Sequence, residues 1–472
     1  MGLDDFADGI SRAIEGAGGQ VKAALFEPTI RLGVTGLSRS GKTVFITSLI
    51  ANLLDNNRMP QLLAAAGGGI RAAYLQPQPD DTVPRFDYEN HLAALVGPNP
   101  HWPQSTRAIS QLRLSLKVQP TGILAGFGGP RTVHVDIVDY PGEWLLDLPL
   151  LDQSYARWSE IALALAALRQ TVAAGWQALV GKTDPAAQFG EATAQALAKS
   201  YTAYLSAARD AGFSACAPGR FLMPGELAGS PALTFAPLPK PAKTRRGSLW
   251  REMERRYNAY KSQVVKPFFR DHFARIDRQV VLLDALGAIH AGPRAVEDMR
   301  GAMADILRCF RPGKNSWLSR ITGRRCEKIL FAATKADHLH HNQHPQLTAI
   351  MQAMLREAED RAKFAGAATA AMSLAALRAT VEETIDHNGA KLDCVRGVLN
   401  AGGKQAAFYP GTLPTDPHQL LRQGRNGAEK WLDADYQIMR FRPAKIALRP
   451  GFGPPHIRLD KAAEFLIGDR LR

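Results

Sequence analysis

The sequence predicts an α/β fold: a P-loop domain on a central, mostly parallel sheet, carrying a large helical insertion. Three observations predict it. A glycine-rich loop, Gly36-Leu37-Ser38-Arg39-Ser40-Gly41-Lys42-Thr43, lies between a short apolar strand pattern and the start of a buried helix pattern. Two further strand-like runs end in the polar motifs Asp139-Tyr140-Pro141-Gly142 and Thr334-Lys335-Ala336-Asp337. A long alanine- and leucine-rich block with helical spacing stands between those two runs.

At 472 residues the chain has room for two or more domains, and its 46% hydrophobic and 22% charged residues are those of an ordinary soluble protein. Cys216, Cys309, Cys326 and Cys394 are far apart and form no C-x-x-C pair. That argues against a disulfide framework or a cysteine-based zinc site and fits a reducing compartment, so a cytoplasmic location is expected. No secretory signal is legible, and the most apolar stretch, Ile161 to Leu168, is too short to span a bilayer. The net charge of +14 favours contact with something anionic: nucleic acid, an anionic membrane surface, or an acidic partner.

Residues 1–28 read as an N-terminal arm with a weak amphipathic helix, Leu3, Phe6, Ile10 and Ile14 on one face, interrupted by Gly16, Gly18 and Gly19. Packing on the body is the preferred reading, and peripheral contact with the inner membrane surface the alternative. Residues 29–150 form the first part of the nucleotide-binding domain. In the phosphate loop, Gly36 and Gly41 let the backbone curl. The N–H groups along Ser38, Arg39, Ser40, Gly41, Lys42, Thr43 and Val44 then face phosphates at a helix N-terminus. Lys42 reaches the outer phosphates and Thr43 holds Mg²⁺. Residues 55–108 read as an elaborated loop with short helices near 61–66 and 88–96. Strands follow at 110–118 and 132–138. A carboxylate at the carboxyl end of the second, Asp139, is placed to hold Mg²⁺ through water, and the Gly142 N–H to sense a γ-phosphate.

Residues 151–277 read as a helical insertion domain. Its aromatics Trp250, Tyr257, Tyr260, Phe268, Phe269 and Phe273 are interleaved with Arg and Lys. They are expected to be core anchors on an amphipathic helix, with nucleic-acid stacking the lesser reading. Residues 278–400 return to the first domain, with strands at 278–284 and 326–333, a helix over 292–311 and a basic loop over 311–325. Thr334, Lys335 and Asp337 end the second strand. An aspartate there accepts hydrogen bonds from the ring N–H and exocyclic amine of guanine, whereas adenine would set an acceptor against it. The Lys335 stem covers one face of the base. His338, His340, His341 and His344 read as a solvated loop entering a helix over 345–364, with a metal site the weaker alternative. The last sheet strand is expected at 369–378, where Ala376 and Leu377 close over the base edge. Residues 401–472 form an extension with short strands near 405–409 and 437–448 and a helix over 459–471.

The order GLSRSGKT (36–43), WPQSTR (102–107), DYPGEW (139–144) and AATKADHLHH (332–341) resembles that of the Ras-like, translation-factor-related GTPases. With RQVVLLDALGAIHAG (278–292) and HIRLDKAAEFLIGDRL (456–471), the chain more closely resembles the YcjX-like family of bacterial stress-associated P-loop GTPases, over nearly its whole length. The resemblance implies a GTPase domain with a helical insertion, binding GTP and GDP with Mg²⁺. It also implies slow hydrolysis as a stress-related switch acting through a protein partner or regulator. By motif position, Lys42, Thr43, Asp139, Gly142, Lys335 and Asp337 carry nucleotide binding. Thr106 is the expected switch threonine on Mg²⁺. Glu143 stands where many such enzymes have a water-orienting glutamine, with Arg39 or Arg107 as an internal cation. Two alternatives remain at this level: a P-loop ATPase or kinase, and a nucleic-acid- or membrane-surface-binding protein regulated by nucleotide.

Overall fold

The fold was taken from a computed structural model that describes residues 27–37, 40–104, 108–119, 129–308, 326–364, 367–428, 430–432 and 436–472. The N-terminal arm up to residue 26, the loop residues Ser38 and Arg39, Thr106 and Arg107, and the basic loop over 311–325 lie outside the described residues.

A seven-stranded sheet forms the centre, in the order β2-β3-β4-β1-β5-β6-β7. Its strands are β1 (Thr29–Gly36), β2 (Ile70–Gln76), β3 (Ser110–Val118), β4 (Arg131–Asp139), β5 (Arg278–Leu283), β6 (Lys328–Ala333) and β7 (Ala368–Ser373). The run β4-β1-β5-β6-β7 is parallel, and β3 and β2 add antiparallel edges. Burial on both faces is why the parallel strands read as apolar runs rather than alternations. Successive residues go to opposite cores: Val280 and Leu282 of β5 join one, Val281 and Leu283 the other.

The first core is closed by α1 (Lys42–Leu54), α2 (Tyr88–Val96) and a C-terminal helix, Leu459–Ile467, through Leu459, Ala462, Ala463, Leu466 and Ile467. Arg278, 1% exposed, ties that helix to the sheet by donating to the Leu466 carbonyl at 3.3 Å and pairing with Asp469 and Glu327. The other core is continuous with the helical block. That block runs through an extended 3₁₀ stretch (Gly142–Asp152), α3 (Tyr155–Leu168), α4 (Gln170–Gly181), α5 (Glu191–Asp210) and α6 (Leu249–Tyr260). A π-helical turn (Lys261–Val265) and α7 (Lys266–Asp271) follow. Trp250, Tyr257, Tyr260, Phe268, Phe269 and Phe273 are all buried in it, so none of the six presents a face for a base to stack on.

The helix expected over 292–311 is α9 (Pro293–Arg308), and a further short helix, α8 (Ala285–Ala291), precedes it. Gly292, at φ 108, makes the break ahead of Pro293. α10 spans His344–Phe364 and α11 Pro417–Arg425, so the helix Leu459–Ile467 is α12. No helix among the described residues is long and apolar enough to cross a membrane.

Three expectations need correcting. Residues 70–76, read as part of a loop, are strand β2. Its largely exposed edge position gives no clean alternation to read. Residues 381–408 form a separate antiparallel sheet of β8 (Val381–His387), β9 (Ala390–Val398) and β10 (Gln405–Phe408), of which only the last was foreseen. The strand expected near 437–448 is an extended segment with one isolated bridge, Leu399 to Phe441.

Candidate nucleotide site

The site follows from register. Parallel pairing sets Val34 beside Asp139, Gly36 beside Leu282, Leu283 beside Ala333 and Ala333 beside Ser373. The carboxyl ends of β1, β4, β5, β6 and β7 therefore finish at one level, and the loops leaving them converge there. Such a crevice at strand ends is where open α/β sheets hold ligands.

The turn after β1 closes with the Ser40 N–H donating to the Leu37 carbonyl at 3.2 Å. Gly41 has φ 79, and a side chain there would meet open space, so the backbone leaves room above the helix N-terminus. α1 starts at Lys42, has its first helical bond from Phe45 N–H to the Gly41 carbonyl, and carries no acidic residue in its first turn. Its dipole is thus uncancelled and favours an anion. Lys42 Nζ lies 3.1 Å from the Gly36 carbonyl oxygen.

The Asp139 motif comes against this loop. Asp139 and Glu143 are buried at 1% and 5% exposure. At Gly142 a Cβ would fall 1.6 Å from the Gly36 carbonyl oxygen and 3.0 Å from Lys42 Nζ, so only glycine permits this approach. The segment then locks into the helical block. Trp144 Nε1 donates to the Met223 carbonyl at 2.8 Å, and the Arg220 guanidinium stacks on the Trp144 ring at 3.2 Å. Asp147 accepts from Gly219 N–H and Tyr260 O–H, each at 2.7 Å. Burial pushes the Asp147 carboxyl up to about 6.

At the far end, Lys335 holds a left-handed conformation at φ 62 and pairs with Asp284. The Thr334 hydroxyl donates to the Leu283 carbonyl at 3.1 Å. Asp337 is 5% exposed, and its Oδ2 accepts from the Ala379 N–H at 2.9 Å. The Thr380 hydroxyl fastens the Asp337 carbonyl. Ser40, Gly41, Lys42, Thr43 and Val44 line one cavity of about 700 Å³ together with Glu143, Thr334, Lys335, Asp337, Ala376 and Leu377. The phosphate loop and the guanine-type motif, 291 residues apart from Thr43 to Thr334, thus share one space large enough for a nucleotide.

The structure adds roles the motifs did not assign. Asp284 anchors Lys335 and caps α8 through Gly287 N–H at 3.0 Å. Its place just past an apolar strand and before a helix was a usable signal. Trp102 Nε1 donates to the Phe441 carbonyl at 2.7 Å, joining the 102–104 segment to the C-terminal extension at the cavity. Arg209 at the end of α5 also lines the cavity, a contact that no local sequence pattern announces.

The model of the YcjX-like family, DUF463, matches residues 30–471. A protein of Escherichia coli (strain K12) named "Ras-like GTPase YcjX" is 38% identical over 457 residues, covering 94% of this chain and 96% of its own. A protein of the same name from Shewanella oneidensis (strain MR-1) is 34% identical over 470 residues, 94% of each.

Proposed function

The chain belongs to the YcjX-like family, and we propose that it binds GTP and GDP and slowly hydrolyses GTP as a stress-related switch. It is a GTPase-like nucleotide-binding protein with a Ras-like P-loop fold, and the relatives' shared name supports hydrolysis of GTP as its reaction. The observation that carries the guanine preference is the buried Asp337, fixed by the Ala379 N–H at the end of the cavity that begins at Lys42.

In this reading the N–H groups at the start of α1 and Lys42 hold the phosphates, with Ser38 and Arg39 completing the loop. The Lys335 stem, positioned by Asp284, covers the base, and Asp337 reads its edge. The backbone of Ala376 and Leu377 closes the base side. Thr43 and Asp139 offer a hydroxyl and a carboxylate, the hard oxygen donors that suit Mg²⁺, with Thr106 a further hydroxyl. The ion would neutralise charge on the β- and γ-phosphate oxygens. Gly142 N–H faces the γ-phosphate, and Glu143 orients the attacking water, its charge balanced by Arg107 or Arg39. Loss of the γ-phosphate releases Gly142, and the Trp144 and Asp147 contacts carry that movement into the helical block, where a protein partner reads it. A basic chain of this kind also suits peripheral contact with an anionic surface.

Calorimetry with GTP, GDP, ATP and ADP, each with Mg²⁺, on wild type and Lys42→Ala tests the reading. Binding of guanine nucleotides only, lost in the variant, is expected. Equal binding of adenine nucleotides would overturn it.

A further inference from the structure

The four histidines after the guanine-type motif divide into two pairs. His344 Nε2 lies 2.8 Å from the Ala336 carbonyl oxygen, and the His338 ring packs edge-on against Phe441. Burial pushes both imidazoles toward the neutral form, and both serve the packing of the base-recognition loop. His340 and His341 face the other way, their rings 4.4 Å apart, toward a residue of the small sheet that sequence spacing could not connect to them.

That residue is Glu382 on β8. Its Oε2 is 2.7 Å from His341 Nδ1 and 3.7 Å from His340 Nε2. The three ligand atoms all lie within 4.8 Å of one another. The other oxygen, Oε1, faces Arg378 Nη2 at 3.6 Å, so the carboxylate divides its two oxygens between an orienting cation and the imidazole pair. The 2.7 Å contact is a hydrogen bond that a metal would replace, whereas the gap of 3.7 Å is too long for one. Two metal bonds of about 2.0–2.2 Å at a tetrahedral angle hold their donor atoms ~3.4 Å apart, between the two separations found here.

We infer that His340, His341 and Glu382 form a Zn²⁺-binding site that staples the loop following Asp337 to the β8–β9 sheet. The two imidazoles are the borderline donors that select Zn²⁺ over Mg²⁺, the carboxylate is a hard third ligand of the kind His₂Glu zinc sites carry, and water fills the fourth position. His341, 68% exposed, gives the ion its entry path. The bond from Asn342 Nδ2 to Asp393 on β9, at 2.6 Å, already holds the same loop to the same sheet, so little ordering is left for the metal to impose. The site is separate from the nucleotide cavity and does not depend on the identity of the nucleotide.

The test uses the full chain without a histidine tag, stripped with chelator and titrated with Zn²⁺ by calorimetry in excess Mg²⁺. One saturable equivalent is expected, with the visible bands of a tetrahedral complex when Co²⁺ replaces Zn²⁺. Glu382→Gln and His341→Ala should each weaken binding at least about 100-fold, more than loss of a merely orienting neighbour costs. His387→Ala, on the same hairpin, should leave it unchanged. Absence of saturable binding, or equal affinity in Glu382→Gln, His341→Ala and wild type, would overturn the assignment. His341 is at the surface, so its variant keeps the fold, and nucleotide binding serves as the check.

Discussion

Replacing Gly142 by alanine should separate turnover from nucleotide binding. The added Cβ would sit 1.6 Å from the Gly36 carbonyl oxygen and 2.7 Å from its carbonyl carbon. Carbon and oxygen come no closer than ~3.2 Å without strain, so one side must retreat by about 1.5 Å. Gly36 cannot, because β1 is held between β4 and β5. The 142–152 segment moves instead, against its anchors at Met223, Gly219 and Tyr260. Overpacking of this kind costs about 1–3 kcal/mol. A displacement of ~1 Å at reacting groups costs on the order of 100-fold in rate. Urea unfolding should therefore show a loss in that range, and single-turnover GTP hydrolysis should fall about 100-fold. GDP affinity should change less than about tenfold, because the contacts at Lys335 and Asp337 are untouched. Turnover within about threefold of wild type, with unchanged stability, would refute the close approach of the two motifs.

Three further outcomes follow from the same packing. Asp147 titrates near 6 in the folded chain against an ordinary 3.8, a gap equivalent to about 3 kcal/mol. Because the folded value is raised, the contribution is fully present below the ordinary value and is lost as pH rises through about 6. Asp147→Asn should flatten that part of the stability profile between roughly pH 4 and 6, read by denaturant titration across pH. Asp284→Ala should free the Lys335 side chain and weaken GDP binding by about 5- to 30-fold, the loss of one charge-assisted contact, measured by calorimetry. Gly175→Ala, in the exposed interior of α4 where a Cβ meets nothing, should stabilise by about 0.5–1 kcal/mol in urea unfolding.

Much of this was legible because the chemistry of a phosphate loop ties residue type to backbone shape. The three motifs each sit at the end of an apolar strand, and parallel pairing then has to bring those ends together. The six aromatics of the helical block read as core anchors, and all are buried, although they are spread over α6, α7 and the 3₁₀ turn at Phe273–Arg275 rather than one helix face. The sheet edge has a weak signature because β2 is only partly buried and lacks alternation, and Ile70 is its one β-branched residue. The hairpin of β8 and β9 did carry a signal in its Asn388-Gly389 turn, both residues at positive φ. Its strands are too polar to register as apolar runs, so no local pattern ties Glu382 to the histidines. Contacts such as Trp102 with Phe441, or Arg209 at the cavity, join distant segments and have no local signature.

The most direct test of a guanine-reading site is the affinity of wild type and Asp337→Asn for GTP and xanthosine triphosphate, measured side by side. An amide at residue 337 offers a donor where guanine has an N–H and xanthine a carbonyl oxygen. GTP should win in wild type and xanthosine triphosphate in the variant, each by at least about tenfold. Unchanged preference for GTP in Asp337→Asn would contradict the account at its centre.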